Sequence, residues 1–196
     1  MTSFRYNIGY VITTIILLVS LKIYAQEIIP LEQKGSHDYS NPEKVYYKDV
    51  NHVFDKFLGT WRYETLDESF EITFEKVEKD DRGSYFKDFL ITKFKYLING
   101  RVIFDTTSPI QPTDAGYYIF GGMITTSNLN KVRLLYNEPA IDENLDFDGR
   151  LYLTYSPRTQ KLDWKVSSRS IPDPLNPGVR ISPFKIPVRM TLTRVN

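Results

Sequence analysis

Apolar and polar residues alternate with period two through most of this chain, and this alternation constrains the fold more than any other feature. In the segment FEITFE, Phe70, Ile72 and Phe74 are separated by polar residues. Successive side chains of a β-strand point to opposite faces, so the pattern is typical of an antiparallel strand with one buried face. The chain also contains 14 Tyr and 12 Phe, residue types that favour strands.

The same reading predicts further strands and two local features between them. Asn99-Gly100 favours the positive φ angles of a type I′ turn and predicts a hairpin. Gly121-Gly122 interrupts an apolar run and predicts a bulge or a close backbone approach. The predicted strands are Phe57–Tyr63, Phe70–Glu75, Tyr85–Ile98, Arg101–Thr107, Tyr117–Thr126, Lys131–Tyr136, Arg150–Tyr155, Leu162–Val166 and Val188–Val195.

Short strands in meander order, with almost no helix, predict an all-β fold. We expect a single antiparallel β-barrel of about eight or nine strands, preceded by a short N-terminal helix. That helix is predicted over Asp49–Lys56, where apolar residues recur at spacings of three and four and Asp49 is a candidate N-cap. An outer-membrane barrel has the same alternation, but the short strands, with charges on one face, argue against it.

The N-terminus predicts export. Arg5 precedes an apolar run, Ile8–Leu21, and Ala25 provides a small residue for cleavage. The run is shorter than the roughly 20 residues of a membrane-spanning helix, although an uncleaved anchor remains the alternative. We therefore predict a signal peptide at 1–25, an irregular arm at 26–48 and the barrel domain at 49–196. The mature chain is expected in the periplasm, the cell envelope or the extracellular space.

Charge and cysteine content narrow the function. The chain has 25 basic and 24 acidic residues, and removing Arg5 and Lys22 leaves 23 basic residues. A chain without basic excess has no electrostatic footprint for nucleic acid, and we expect none as a partner. The absence of cysteine excludes disulfides, thiolate nucleophiles and cysteine metal sites.

One motif resembles the opening of the lipocalin and calycin barrels. Gly59-Thr60-Trp61 is a G-x-W sequence at the start of the first predicted strand. Those families place a short helix before the motif and an arginine from the last strand over the tryptophan. Arg194 lies at the matching place here, and its alternation with Met190 and Leu192 predicts an inward side chain. We therefore expect Arg194 to pack on Trp61, as a structural pair.

A longer stretch resembles an uncharacterised family of exported Bacteroidota proteins. The likeness lies in YYKDVNHVFDKFLGTWRY from Tyr46 and in YFKDFLITKFKYLING from Tyr85. The resemblance implies export and a β-rich domain. It implies no activity, ligand or catalytic residue.

The sequence offers little for catalysis or metal binding. His37 and His52 both precede the barrel, and no G-x-S-x-G elbow accompanies them. Most acidic residues lie on polar strand faces or in turns, so no pair of inward carboxylates emerges for a hydrolase. We therefore predict no catalytic residue, no enzyme activity and no cofactor. The segment DENLDFDG gives a weak calcium pattern but is more typical of a solvated acidic loop; its oxygen ligands would be Asp142, Asn144, Asp146 and Asp148.

Two functions remain open, with a third less favoured. The first is a binding module for a small apolar or amphiphilic ligand inside the barrel. The second is a structural or interaction protein of the envelope with a filled core, which would use the proline-rich segment Pro172–Pro187 or the N-terminal arm. A carboxylate-based envelope hydrolase is the weaker alternative. The residues expected to line the interior are Phe70, Phe74, Phe94, Tyr96, Leu153, Trp164 and Met190.

Overall fold

Thirteen strands and one 3-10 helix make up the part of the chain that the structure describes. A computed structural model describes residues 26–36, 44–108, 118–139, 149–167, 171–172, 175–176, 178 and 180–195. The 3-10 helix spans Leu31–Ser36. The strands are β1 (Ile28–Pro30), β2 (Tyr46–Lys48), β3 (Gly59–Glu64), β4 (Glu68–Asp81), β5 (Phe86–Ile98), β6 (Arg101–Asp105), β7 (Ile119–Thr125), β8 (Asn128–Tyr136), β9 (Gly149–Ser156), β10 (Lys161–Ser167), β11 (Ile171–Pro172), β12 (Arg180–Ile181) and β13 (Arg189–Arg194).

Eight antiparallel strands close into a barrel, which confirms the predicted all-β barrel. Their order is β5, β4, β3, β13, β10, β9, β8 and β7, and β7 pairs with β5 to complete the circle. Three further strands join the sheet beside β5: β6 pairs with it antiparallel, β2 pairs with it parallel, and β1 extends β2. Among the described residues, no helix combines the length and apolar character that crossing a membrane requires.

Both glycine predictions are confirmed. Asn99 and Gly100 have φ angles of 50° and 73°, which is the left-handed geometry of a tight turn between β5 and β6. The β7–β8 register shifts between Gly121 and Met123, so a bulge lies at Gly122. A Cβ atom on Gly122 would lie 2.5 Å from Cζ of Phe54, so this position also requires glycine for close approach.

The predicted helix at Asp49–Lys56 is wrong, because the segment forms a series of turns. His52 has a φ of 52°, which a right-handed helix does not tolerate. The carboxylate of Asp49 accepts hydrogen bonds from the backbone N–H groups of Val53 and Phe54, four and five residues later, and so holds the turns together. The periodic apolar residues Val53, Phe54 and Phe57 are buried because the turns themselves pack on the barrel.

Two other segments are more ordered than their composition indicates. The predicted irregular arm at 26–48 contains β1, the 3-10 helix and β2 in its described parts. The proline-rich segment 172–187 takes part in a short ladder, because β11 pairs with β12. Proline is tolerated there because these two-residue strands form a small separate sheet whose ladder needs few donors. The predicted signal peptide at 1–25 and the four calcium candidates at 142–148 lie outside the described residues.

Candidate functional site

The barrel interior is packed with large side chains. All seven residues expected to line it are buried within one continuous hydrophobic cluster. Phe70 lies at its centre, with ring centroids 5.3 Å from Trp164, 5.9 Å from Phe94 and 6.2 Å from Tyr96. Such distances are those of directly contacting aromatic rings. The indole nitrogen of Trp164 is buried and has no hydrogen-bond partner among the described residues.

One end of the barrel is closed by Trp61, Arg194 and the turn before β3. Trp61 is fully buried, and its indole nitrogen donates to the carbonyl of Phe57 at 2.9 Å. The guanidinium of Arg194 lies 4.5 Å from the centre of the Trp61 ring and donates to the carbonyl of Leu58 at 2.9 Å. The structure thus brings the two residues together. Arg194 is nevertheless exposed, so one face of its guanidinium contacts the indole while solvent reaches the other.

The opposite end is closed by the last part of the proline-rich segment. Phe184 is buried, with its ring centroid 4.8 Å from that of Tyr136. Glu138 holds this segment: its carboxylate accepts hydrogen bonds from the N–H groups of Lys185 and Ile186 and from the Tyr136 hydroxyl, at 2.8, 2.9 and 2.6 Å. Burial raises the pKa of Glu138 above its ordinary value. Side chains at both ends thus contact the packed interior.

A pocket lies instead in the barrel wall. The edge of β5 has two partners in succession. It pairs with β2 at Phe86 and Lys87 and with β7 at Leu90 and Ile91, so β2 and β7 separate from each other between Lys87 and Leu90. The 3-10 helix covers this gap. We call the resulting cavity the wall pocket; it has a volume of about 480 Å³, and it is lined by residues 31, 32 and 34–36 of the helix, Lys87 of β5, 122–124 of β7, and Thr126.

Two lysines give the wall pocket a positive character. Lys87 is half-buried, and burial, followed by the charges of Lys34, Arg82 and Arg133, lowers its pKa to about 8. Lys34 has its ammonium group 3.3 Å from the centre of the Tyr85 ring, and burial lowers its pKa too. The neighbouring cations make an anion favourable at this place, because an anion would offset their mutual repulsion.

The wall pocket also contains an acceptor and an apolar surface. Glu32 is buried, and its Oε1 accepts a hydrogen bond from Asn51 at 2.5 Å. Its Oε2 is buried and has no hydrogen-bond partner among the described residues. Leu31, Met123 and Ile124 supply the apolar lining, and Met123 is 44 % exposed.

Two buried carboxylates near this region serve the fold. Asp88 accepts hydrogen bonds from the Tyr46 hydroxyl at 2.5 Å and from the backbone N–H groups of Asp49 and Lys79 at 2.8 and 2.9 Å. It therefore joins β2, the turns that follow β2, and a bulge in β4 where Lys79 has a φ of 52°. Every side-chain oxygen of Asp88 and Asp49 accepts a backbone hydrogen bond, so both carboxylates hold neighbouring segments together.

Sequence reasoning missed Glu32, Lys87, Asp88 and Glu138. Asp88 gave one usable signal, since it shares strand parity with the inward Phe94 and Tyr96. Lys87 gave none, because its burial depends on the distant 3-10 helix. His52 lies on the surface beside Asp55. Among the described residues, no group of three or more His, Cys, Asp or Glu is arranged to hold a metal ion.

Comparison with known proteins identifies the family. A model described as a family of unknown function, DUF6705, matches residues 7–194. No curated protein and no solved structure matches the chain. Because the match extends over nearly the whole sequence, the chain belongs to the DUF6705 family.

Proposed function

We propose that this protein is a binding module that takes a small anionic amphiphile, of the carboxylate type, in the wall pocket. The observation that carries the proposal is the half-buried Lys87 within a pocket of about 480 Å³ whose remaining lining is largely apolar. Sites for small ligands commonly have volumes of roughly 300–1,000 Å³ and combine an apolar lining with a few placed polar groups.

The chemistry of the pocket favours an acid with an apolar body. Leu31, Met123 and Ile124 would contact the apolar part, while Lys87 and Lys34 would face the carboxylate. We keep a lipocalin-like identity as part of the proposal, which the closed barrel and the Trp61–Arg194 contact support, and we assign the ligand to the wall because the interior is occupied by aromatic side chains.

The filled interior also supports a second candidate function, a structural or interaction protein of the cell envelope. The proposal includes no catalytic activity, since the buried carboxylates of Asp49 and Asp88 are engaged by backbone donors. The N-terminal segment supports action outside the cytoplasm, and we include export in the proposal.

Calorimetric titration with octanoate and octanol tests the proposal. The two probes share an apolar body and differ in charge, so the comparison isolates the lysines. We expect the wild-type chain to bind octanoate at least about tenfold more tightly than octanol, a difference of about 1.4 kcal/mol. Lys87→Met keeps much of the side-chain length and removes the charge, so it should abolish that preference.

Lys93→Met is the matched control, because Lys93 is exposed on the outer face of β5 and pairs with Glu75 at 3.3 Å. This variant should retain the preference for octanoate. Equal affinity of the wild type for both probes, or an unchanged preference in Lys87→Met, would overturn the proposal. Absence of binding by either probe would favour the structural or interaction protein.

A further inference from the structure

The outer face of β8, β9, β10 and β13 carries a concentration of positive charge that the near-neutral composition conceals. Strand alternation places six basic side chains on this face, with Asp163 as the acidic residue among the described positions. None of the six takes part in a salt bridge within the described part of the chain. The six are Lys131, Arg133, Arg150, Lys161, Lys165 and Arg189.

The outer face of β3, β4 and β5 is arranged differently. Its lysines and arginine face acidic partners on the neighbouring strand: Arg62 contacts Glu71 at 2.7 Å, and Lys95 contacts Asp105 at 3.3 Å. A cation directly opposite a carboxylate is the favourable arrangement across two strands, and two like charges there are unfavourable. Lys165 and Arg189 are directly opposite each other, so the face of β8, β9, β10 and β13 has the unfavourable arrangement of like charges.

These cations surround a shallow groove of about 420 Å³, which we call the cationic groove and define by Lys131, Tyr152, Thr154, Asp163, Lys165, Arg189 and Thr191. Tyr152, Lys165 and Arg189 form one row across three strands, because each is the register partner of the next. The ammonium group of Lys131 lies 4.9 Å from the centre of the Tyr152 ring. The groove therefore combines cations with an aromatic surface.

Neutral hydrogen-bonding groups lie between the charges. Thr154 and Asp163 are register partners, and the Thr191 hydroxyl donates to Asp163 at 3.1 Å. A ligand that carries only negative charge would be repelled by Asp163. A ligand that carries hydroxyls as well as carboxylates can donate to Asp163 while its acid groups face Lys165 and Arg189.

We propose that the cationic groove binds an acidic polysaccharide, with sugar carboxylates against Lys131, Lys165 and Arg189 and sugar hydroxyls against Thr154 and Asp163. This inference is independent of the wall pocket. A polysaccharide of uronic acids fits this groove because it carries carboxylates and hydroxyls side by side, which match the cations and Asp163.

The test measures binding of the full chain to immobilised polygalacturonate, with neutral dextran and phosphatidylglycerol vesicles as comparison probes. We expect binding to polygalacturonate that weakens as salt rises, since charge contacts release bound counterions. The double variant Lys165→Ala/Arg189→Ala should weaken binding by roughly tenfold at low salt. Tyr152→Ala should weaken it without changing the net charge.

The matched control is Lys93→Ala/Lys95→Ala, which removes the same charge from the opposite, ion-paired face. It should change affinity by less than about twofold, as expected for screened charges at a distance. If both double variants lost the same affinity for polygalacturonate, net charge alone would explain the binding and the proposal would be overturned. Binding to vesicles but not to polygalacturonate, or to neither, would also overturn it.

Discussion

The barrel interior and the wall pocket share strands β5 and β7, and Leu31 and Ile124 of the pocket belong to the same hydrophobic cluster, yet the pocket adds charged side chains. The interior is a continuous cluster in which Phe70 contacts Trp164, Phe94 and Tyr96. The wall pocket holds Lys34, Lys87 and an unpartnered oxygen of Glu32. A region that stabilises the fold buries apolar surface completely, whereas a region that binds ligand combines an apolar lining with a few placed polar groups. Substitutions should therefore separate stability from binding.

The largest effect is expected from Phe70→Ala in the interior. Removing a fully buried ring leaves a cavity, and such changes lower the free energy of unfolding by about 3–5 kcal/mol. Urea denaturation monitored by fluorescence measures the change. Leu135→Ala is the control, because Leu135 is exposed on β8. A loss below about 1 kcal/mol for Phe70→Ala would mean that the interior is loosely packed and would remove the contrast.

Gly122→Ala should give the next largest loss, at the border between the two regions. The added methyl group would approach Cζ of Phe54 at 2.5 Å, and the φ of 139° is unfavourable for alanine. Overpacking and backbone strain together predict a loss of about 2–4 kcal/mol. Adding Phe54→Leu should recover part of the loss by making room. If the double variant were no more stable than Gly122→Ala, the steric explanation would be wrong.

Glu138→Gln should lower the free energy of unfolding by about 1–3 kcal/mol, because one oxygen that accepts a backbone hydrogen bond is replaced by a donor. The pH dependence sharpens this prediction. Burial raises the pKa of Glu138, so the folded state binds the proton more tightly and its stability falls as pH rises above the ordinary value of 4.5. The variant should lack this part of the fall. Identical pH profiles for wild type and variant would contradict the assigned role.

Lys87→Met should have the smallest effect on the free energy of unfolding. We expect an increase of about 1 kcal/mol or less, because the substitution removes a desolvated charge. The lowered pKa means that the unfolded chain binds the proton more tightly than the folded chain. Wild-type stability should therefore rise with pH between about 8 and the ordinary value of 10.5. Chemical denaturation from neutral pH to about pH 9.5, below the titration of tyrosine, measures the rise. If Lys87→Met kept the same increase in stability with pH, a group other than Lys87 would be its cause.

The sequence predicted the parts of the fold that depend on local pattern. Alternation at Phe70, Ile72 and Phe74 located a strand because burial itself alternates there. The Asn99-Gly100 turn followed from backbone geometry at two residues. The helix prediction failed because apolar spacing alone does not distinguish a helix from packed turns, and the positive φ of His52 has no signature in the sequence.

The wall pocket could not be predicted for a different reason. It exists because β5 pairs with β2 at Lys87 and with β7 at Leu90, and both partners are distant in the sequence. Lys87 therefore reads as an ordinary exposed strand residue until the 3-10 helix is placed over it. The charge of the outer face of β8, β9, β10 and β13 was concealed in the same way, because the composition also counts acidic residues of other strands, such as Glu71 of β4.

Methyl labelling of methionine tests most directly whether ligand occupies the wall or the interior. The chain has three methionines, and two of them report on the two regions: Met123 lines the wall pocket, while Met190 belongs to the buried cluster. Octanoate would be titrated into the ¹³C-methyl-labelled protein and followed by NMR. We predict that the Met123 signal shifts and that the Met190 signal stays in place. A shift at Met190 with an unchanged Met123 would place the ligand inside the barrel and contradict this account.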